Sequence, residues 1–132
     1  MHASYHRALF ERIAGHAGCV ISDNRDGNFC NFGKTQDDKA WLQVRVHESH
    51  LEVGLAFDTN NPSVNGIAAD RYEAALDGFS ERLQRTRGKN HYLMTSVPRR
   101  NETEIDLCAA DAGGVLALLR DAIDVSGVFV DM

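Results

Sequence analysis

Between residues 40 and 57 apolar and polar side chains alternate almost without error. Leu42, Val44 and Val46 are separated by Gln43, Arg45 and His47. After Glu48 and Ser49 the alternation resumes with Leu51, Val53, Leu55 and Phe57. A period of two marks a strand with one buried face. Reversing the chain at Glu48-Ser49 sets His47 opposite His50, Val46 opposite Leu51, Val44 opposite Val53 and Leu42 opposite Leu55. Every apolar side chain then falls on one face. Arg45 lands opposite Glu52, a cross-strand pair of opposite charge. A slip of one residue would turn the apolar set into water, so the register is strongly specified.

Elsewhere the period lengthens. Tyr5, Leu9, Ile13 and Ala17 recur every four residues and predict a helix over 4–17, with Ser4 as N-cap and Gly15 and Gly18 weakening its end. Residues 19–22 read as a short strand, 23–28 as a turn, and 29–32 as a strand pairing back. Gly33 to Lys39 is a polar loop. Residues 58–69 form a second loop, with Asn61-Pro62 and Asn65-Gly66 as turn signals. A helix follows over 70–87: Asp70 and Glu73 supply a capping box, Tyr72, Leu76, Phe79 and Leu83 form its stripe, and Gly88 stops it. A second hairpin joins 91–97 to 103–109 through Pro98 to Glu102. A third helix over 112–124 takes Asp111 as N-cap and turns Val115, Leu119, Ala122 and Ile123 inward. The tail, 125–130, is a last edge strand or a contact for another chain. The order α-β-β-β-β-α-β-β-α(-β) over 1–132 predicts a single two-layer α+β domain. Its antiparallel sheet carries helices on its apolar face.

Composition narrows the function classes. No apolar run is long enough to span a membrane, and residues 1–7 lack the apolar core of a secretory signal. Cys19, Cys30 and Cys108 are sparse and odd in number, which predicts free thiols and a cytoplasmic location. The net charge of −5 argues against a general nucleic-acid binder. That charge is unevenly spread. Arg82, Arg85, Arg87, Lys89, Arg99 and Arg100 fall in a segment without a single acid, a basic island on an acidic body.

Most chemical motifs fail on spacing. Gly33-Lys34-Thr35 lacks the preceding glycine and the following helix of a phosphate loop. Aligning Gly27 with the invariant glycine of a calcium loop puts Ser22 at its first ligand and Gly33 where the bidentate glutamate belongs. No nucleophile elbow or dinucleotide fingerprint occurs. Cys108 falls on the outward face of its predicted strand, near Asp106 and His91, and reads as a plain surface or helix-covered thiol. His47 and His50 oppose each other, but Glu52 is assigned to Arg45 and His91 to another hairpin. No metal and no cofactor is therefore expected, and no catalytic residue is assigned.

Two surface features remain. Trp41 shares the polar face of the hairpin with Arg45, His47, His50 and Glu52, opposite Ala56 and diagonal to Gly54. An indole flanked by arginine is the composition of a binding hot spot. The basic island, Arg82, Arg85, Arg87, Lys89, Arg99 and Arg100, is an anion-binding candidate, read as the end of the second helix plus the tip of the second hairpin. The element order resembles that of type III secretion chaperones, and the resemblance implies a small, acidic and dimeric protein. The expected function is protein binding by occlusion of a partner, as an inhibitor, immunity protein or chaperone-like domain, with a homodimer as a further option. The alternative is an enzyme or accessory that handles phosphate or nucleic acid through the island.

Overall fold

A computed structural model describes residues 2–24, 28–35, 40–58, 70, 74, 82–87, 90–123 and 129–130. The chain opens with helix α1 (His2–Ala17), followed by strands β1 (Ile21–Asn24), β2 (Phe29–Phe32), β3 (Lys34–Thr35), β4 (Ala40–Val46) and β5 (His50–Asp58). Strands β6 (Arg82–Arg87) and β7 (Asn90–Pro98) come next, then a 3-10 turn (Glu102–Glu104), helix α2 (Ile105–Ile123) and strand β8 (Phe129–Val130). Six strands form one antiparallel sheet in the order β1-β2-β4-β5-β7-β6, and β3 pairs with β8 in a separate two-stranded ribbon. The fold is α+β.

The predicted register of the first hairpin is the observed one. Leu42 pairs with Leu55, Val44 with Val53, Val46 with Leu51 and Trp41 with Ala56. β5 then pairs along its whole length with β7, from His50 opposite Pro98 to Asp58 opposite Asn90. The apolar face of these strands meets both helices. Leu9, Phe10 and Ile13 of α1 and Cys108, Ala112, Leu116 and Leu119 of α2 are fully buried against Phe32, Leu42, Val44, Leu51, Val53 and Leu55. The helices also cross each other closely. A side chain at Gly113 would come within 2.6 Å of the His16 Cβ, so glycine is what lets α2 approach α1.

Gly18 ends α1 with a φ of 67°. The Cys19 amide donates to the Ala14 carbonyl over 3.1 Å, closing a Schellman-type cap. Arg120 reaches from α2 to the same helix end. Its Nη1 donates to the carbonyls of Ala17 at 2.6 Å and Gly18 at 3.2 Å. A cation on the orphan carbonyls of a helix C-terminus complements the macrodipole, and this one staples the two helices together.

Five expectations are corrected. Residues 82–87 are not the end of a helix but strand β6, paired with β7 from Arg82 opposite Thr95 to Arg87 opposite Asn90. Gly88, expected as the helix stop, and Lys89 lie outside the described residues. Of the rest of the predicted helix over 70–87, Asp70 and Ala74 are helical; the remainder, with the loop at 59–69, lies outside the described residues. Residues 105–109 are not a strand: α2 already begins at Ile105. Their alternation was accidental, because Leu107 is 53 % exposed while Cys108 and Ala109 are buried. Asp111 is thus a mid-helix residue rather than an N-cap, and Ser4 lies inside α1 rather than at its cap. Cys108, expected on an outward strand face, sits in the core with Sγ 3.9 Å from the Pro98 carbonyl.

Candidate functional site

The second face of the sheet, turned away from α1 and α2, holds the chemistry. Parity along each strand decides which residues reach it. The cross-strand rows are Phe29–Arg45–Glu52–Ser96, Asn31–Gln43–Gly54–Met94 and Trp41–Ala56–Tyr92. Ala56, Tyr92 and Met94 are buried, with Trp41 packed against them. Gly54 is obligatory in this floor, since a Cβ there would stand 2.0 Å from the Leu93 carbonyl oxygen and 2.8 Å from the Met94 sulfur.

A polar ladder crosses the floor. Gln43 is almost fully buried. Its Nε2 donates to Asn31 Oδ1 at 2.8 Å, and its Oε1 accepts from Arg45 Nε at 2.8 Å. The Arg45 guanidinium lies 4.9 Å from the ring centre of Phe29 and 5.3 Å from that of Tyr92. Two aromatic faces and one amide therefore fix the orientation of a half-buried cation. Among the described residues its two terminal amino groups meet no acceptor. Trp41 is the second unsatisfied donor of this face: its Nε1 is buried without a hydrogen-bond partner.

At one end of the face stands the reversal between β4 and β5. The His47 amide donates to the His50 carbonyl at 2.9 Å, which closes the turn. The His47 and His50 rings stack, 4.6 Å apart at 12°. Glu52 does not pair with Arg45 as expected, although the two are opposite in register. Its buried carboxylate instead contacts His47 Nε2. From the neighbouring strand end, Arg99 Nη1 donates to the His47 carbonyl at 2.8 Å, and the Arg99 guanidinium covers the Tyr5 ring. The Ser49 hydroxyl is 3.3 Å from His50 Nδ1.

The structure brings Trp41, Arg45, His47, His50 and Glu52 onto one face. The described arginines of the basic island follow β6 and the end of β7. Arg82, Arg85 and Arg87 lie along the edge strand β6, and Arg87 pairs with Asn90 at the start of β7. Arg99 and Arg100 follow the other end of β7. Its nine residues span roughly 30 Å at about 3.3 Å each. Arg100 is engaged with Asp111, Nη2 to Oδ2 at 3.0 Å, and stands 3.9 Å from Glu104. Lys89 lies outside the described residues. The helix expected to gather Arg82, Arg85 and Arg87 is a strand at 82–87, which runs from Arg82, level with Thr95, to Arg87, level with Asn90.

Sequence reasoning missed Phe29, Gln43, Tyr92 and Met94 as parts of this face. Gln43 was visible by parity alone. The others needed the β2–β4 and β5–β7 pairings, which no local pattern states. Comparison of the chain with protein-family models, with curated proteins and with solved structures finds no match. No helix among the described residues is long and apolar enough to cross a membrane.

Proposed function

We propose that this is a protein-binding domain that acts by occlusion, covering a partner's functional surface with the second face of its sheet. One observation carries the reading. Arg45 is held in a fixed orientation by Phe29, Tyr92 and Gln43, while its terminal amino groups remain available for an acceptor. Ordering an arginine side chain normally opposes association, by about 0.5–1.5 kcal/mol for a rotamer-rich group. Here the fold has already done it. The two terminal amino groups form the fork that suits a carboxylate. Trp41, one row beyond Gln43 on the same face, offers an apolar flank.

The partner's contact therefore carries a carboxylate, from an aspartate, a glutamate or a chain terminus, beside an apolar side chain.

The test is differential capture. The immobilised wild-type chain should retain one stoichiometric partner from native lysate, and Arg45→Ala and Trp41→Ala should each lose it while keeping the wild-type circular dichroism spectrum. The same species bound equally by all three proteins would refute the assignment of this face. Once the partner is in hand, neutralising its contacting carboxylate should weaken binding to wild type but not to Arg45→Ala.

A further inference from the structure

We infer that the β4–β5 turn is a binding site for a single divalent transition-metal ion of the zinc class, with His47, His50 and Glu52 as protein ligands. A ligating atom from each of the three lies within 4.8 Å of the other two. Donors around a tetrahedral zinc, with bonds of about 2.0–2.2 Å, stand roughly 3.3 Å apart. Closing the set therefore takes up to about 1.5 Å of movement, together with a reorientation of one ring. Two imidazole nitrogens with one carboxylate oxygen are also a donor set that zinc accepts while keeping a fourth position open. Calcium and magnesium want oxygen donors and are poorly served here. Among late first-row ions, nickel and copper share the preference for imidazole.

Burial divides the labour among the ligands. The Glu52 side chain is 5 % exposed and rooted in the middle of the sheet, whereas that of His47 is 41 % exposed. The carboxylate is thus the anchored base of the site and the half-exposed imidazoles are its mouth. The backbone beneath them is fixed on both sides. The His47 amide bonds to the His50 carbonyl, and Arg99 holds the His47 carbonyl from the end of β7. Ser49 Oγ lies beside His50 Nδ1. An outer partner on one ring nitrogen fixes the tautomer and leaves Nε2 to ligate. The charge of Arg99 is turned over the Tyr5 ring, on the helix side of the sheet.

The stacked rings define what binding must change. An ion lies in the plane of each imidazole it bonds, and two planes only 12° from parallel do not meet at bonding distance. One of the two rings must tilt away from the other, and His47, 41 % exposed, has the solvent-facing room to do so. In doing so it exchanges its contact with Glu52 for a shared bond to the metal. The site is thus a two-state element: closed by stacking and the His47–Glu52 contact, opened by the ion. This inference stands apart from the partner-binding proposal, because it needs no partner.

The test uses the full chain, stripped of metal and titrated with Zn2+ against a chromophoric chelator, with the imidazole resonances followed by NMR. One ion per chain is expected, with the His47 and His50 ring signals moving together. His47→Ala and His50→Ala should each weaken binding at least as much as loss of an outer partner does, about 10–100-fold. Ser49→Ala should weaken it by about tenfold, and His2→Ala should leave it unchanged. Both ring variants alter half-exposed turn positions and should keep the fold, so they decide the matter even if Glu52→Gln unfolds. The proposal fails if wild type binds no Zn2+ at millimolar metal. It fails equally if His47→Ala and His50→Ala bind as wild type does, or if binding disappears with His2→Ala instead.

Discussion

The two faces of the sheet are built from the same strands and are held by different physics. The helix-covered face is a continuous apolar core, in which Phe10, Phe32, Leu42, Leu51, Leu55, Leu116 and Leu119 have no solvent exposure. The other face mixes buried and half-buried polar groups with aromatic rings, and three of its polar groups are placed by named partners: Gln43 by Asn31, Arg45 by Gln43, Glu52 by His47. A dispersed core tolerates no missing volume. A polar face tolerates missing volume but not a missing partner. Stability is thus concentrated on one side of a single layer, the proposed recognition lies on the other, and substitutions should separate the two.

The largest effect is expected in the core. Phe10 packs edge-on against Phe32, ring centres 6.4 Å apart, and Phe10→Ala removes that ring from a site that α1 and the sheet hold rigidly. The loss should be about 3–5 kcal/mol, read from the denaturant midpoint at constant slope. A loss below about 1 kcal/mol would mean that this face is not the close-packed one. Gly54→Ala addresses the opposite face by adding volume rather than removing it. The new methyl group collides with the Leu93 carbonyl, a backbone atom that cannot swing aside. Overpacking of about 1–3 kcal/mol is expected. It should also weaken partner capture, because the strain runs through β7 to Tyr92 and Met94.

The same contrast explains what could be read in advance. The first hairpin was legible to the residue because its two strands are local and one face is strictly apolar. The helix at 105–123 was half hidden. Ile105, Leu107 and Ala109 alternate as a strand would, yet Cys108, Ala112, Val115, Leu116 and Leu119 already carry a helical stripe. Glu102, Glu104 and Asp106 put acids where a helix begins. The stripe from Tyr72 through Phe79 overran into Leu83, which β7 claims by pairing it with Met94. Of the candidate site, Trp41, Arg45, His47, His50 and Glu52 follow from parity in the hairpin. Their true partners do not, because Phe29 and Tyr92 arrive through strands distant in sequence. That Glu52 meets His47 was not legible either, because register places it opposite Arg45.

Alkaline pH offers a gentler way to load the core side alone. Burial pushes the Cys19 thiol above its ordinary range, against a smaller opposing pull from Arg120. Burial raises the Tyr5 phenol in the same direction, ahead of the repulsion from Cys108. Both groups are neutral when protonated, and both hold their proton more firmly folded than unfolded. Their contribution is therefore complete below the unfolded values, about 8.5 for a thiol and about 10 for a phenol. It is lost as pH rises through the higher folded values. Thermal stability should decline above about pH 8.5, and the decline should begin later in Cys19→Ala. A variant with the wild-type alkaline profile would remove Cys19 from this account.

The smallest effect separates ion pairing from placement. Arg100 bonds Asp111 across 3.0 Å, with both side chains about two-fifths exposed. Pairs in that setting contribute roughly 0–1 kcal/mol, so Arg100→Ala should shift the unfolding midpoint by no more than that, and less still in high salt. Arg45→Ala should cost somewhat more, about 1–3 kcal/mol, because it leaves the buried Gln43 Oε1 without its donor. The two variants part in binding. Arg100→Ala should retain the partner that Arg45→Ala loses, although each removes one arginine and one positive charge. Should both lose it to the same degree, net charge rather than the preformed Arg45 fork would be steering the interaction. The division between a structural and a recognising face would then have to be redrawn around long-range electrostatics.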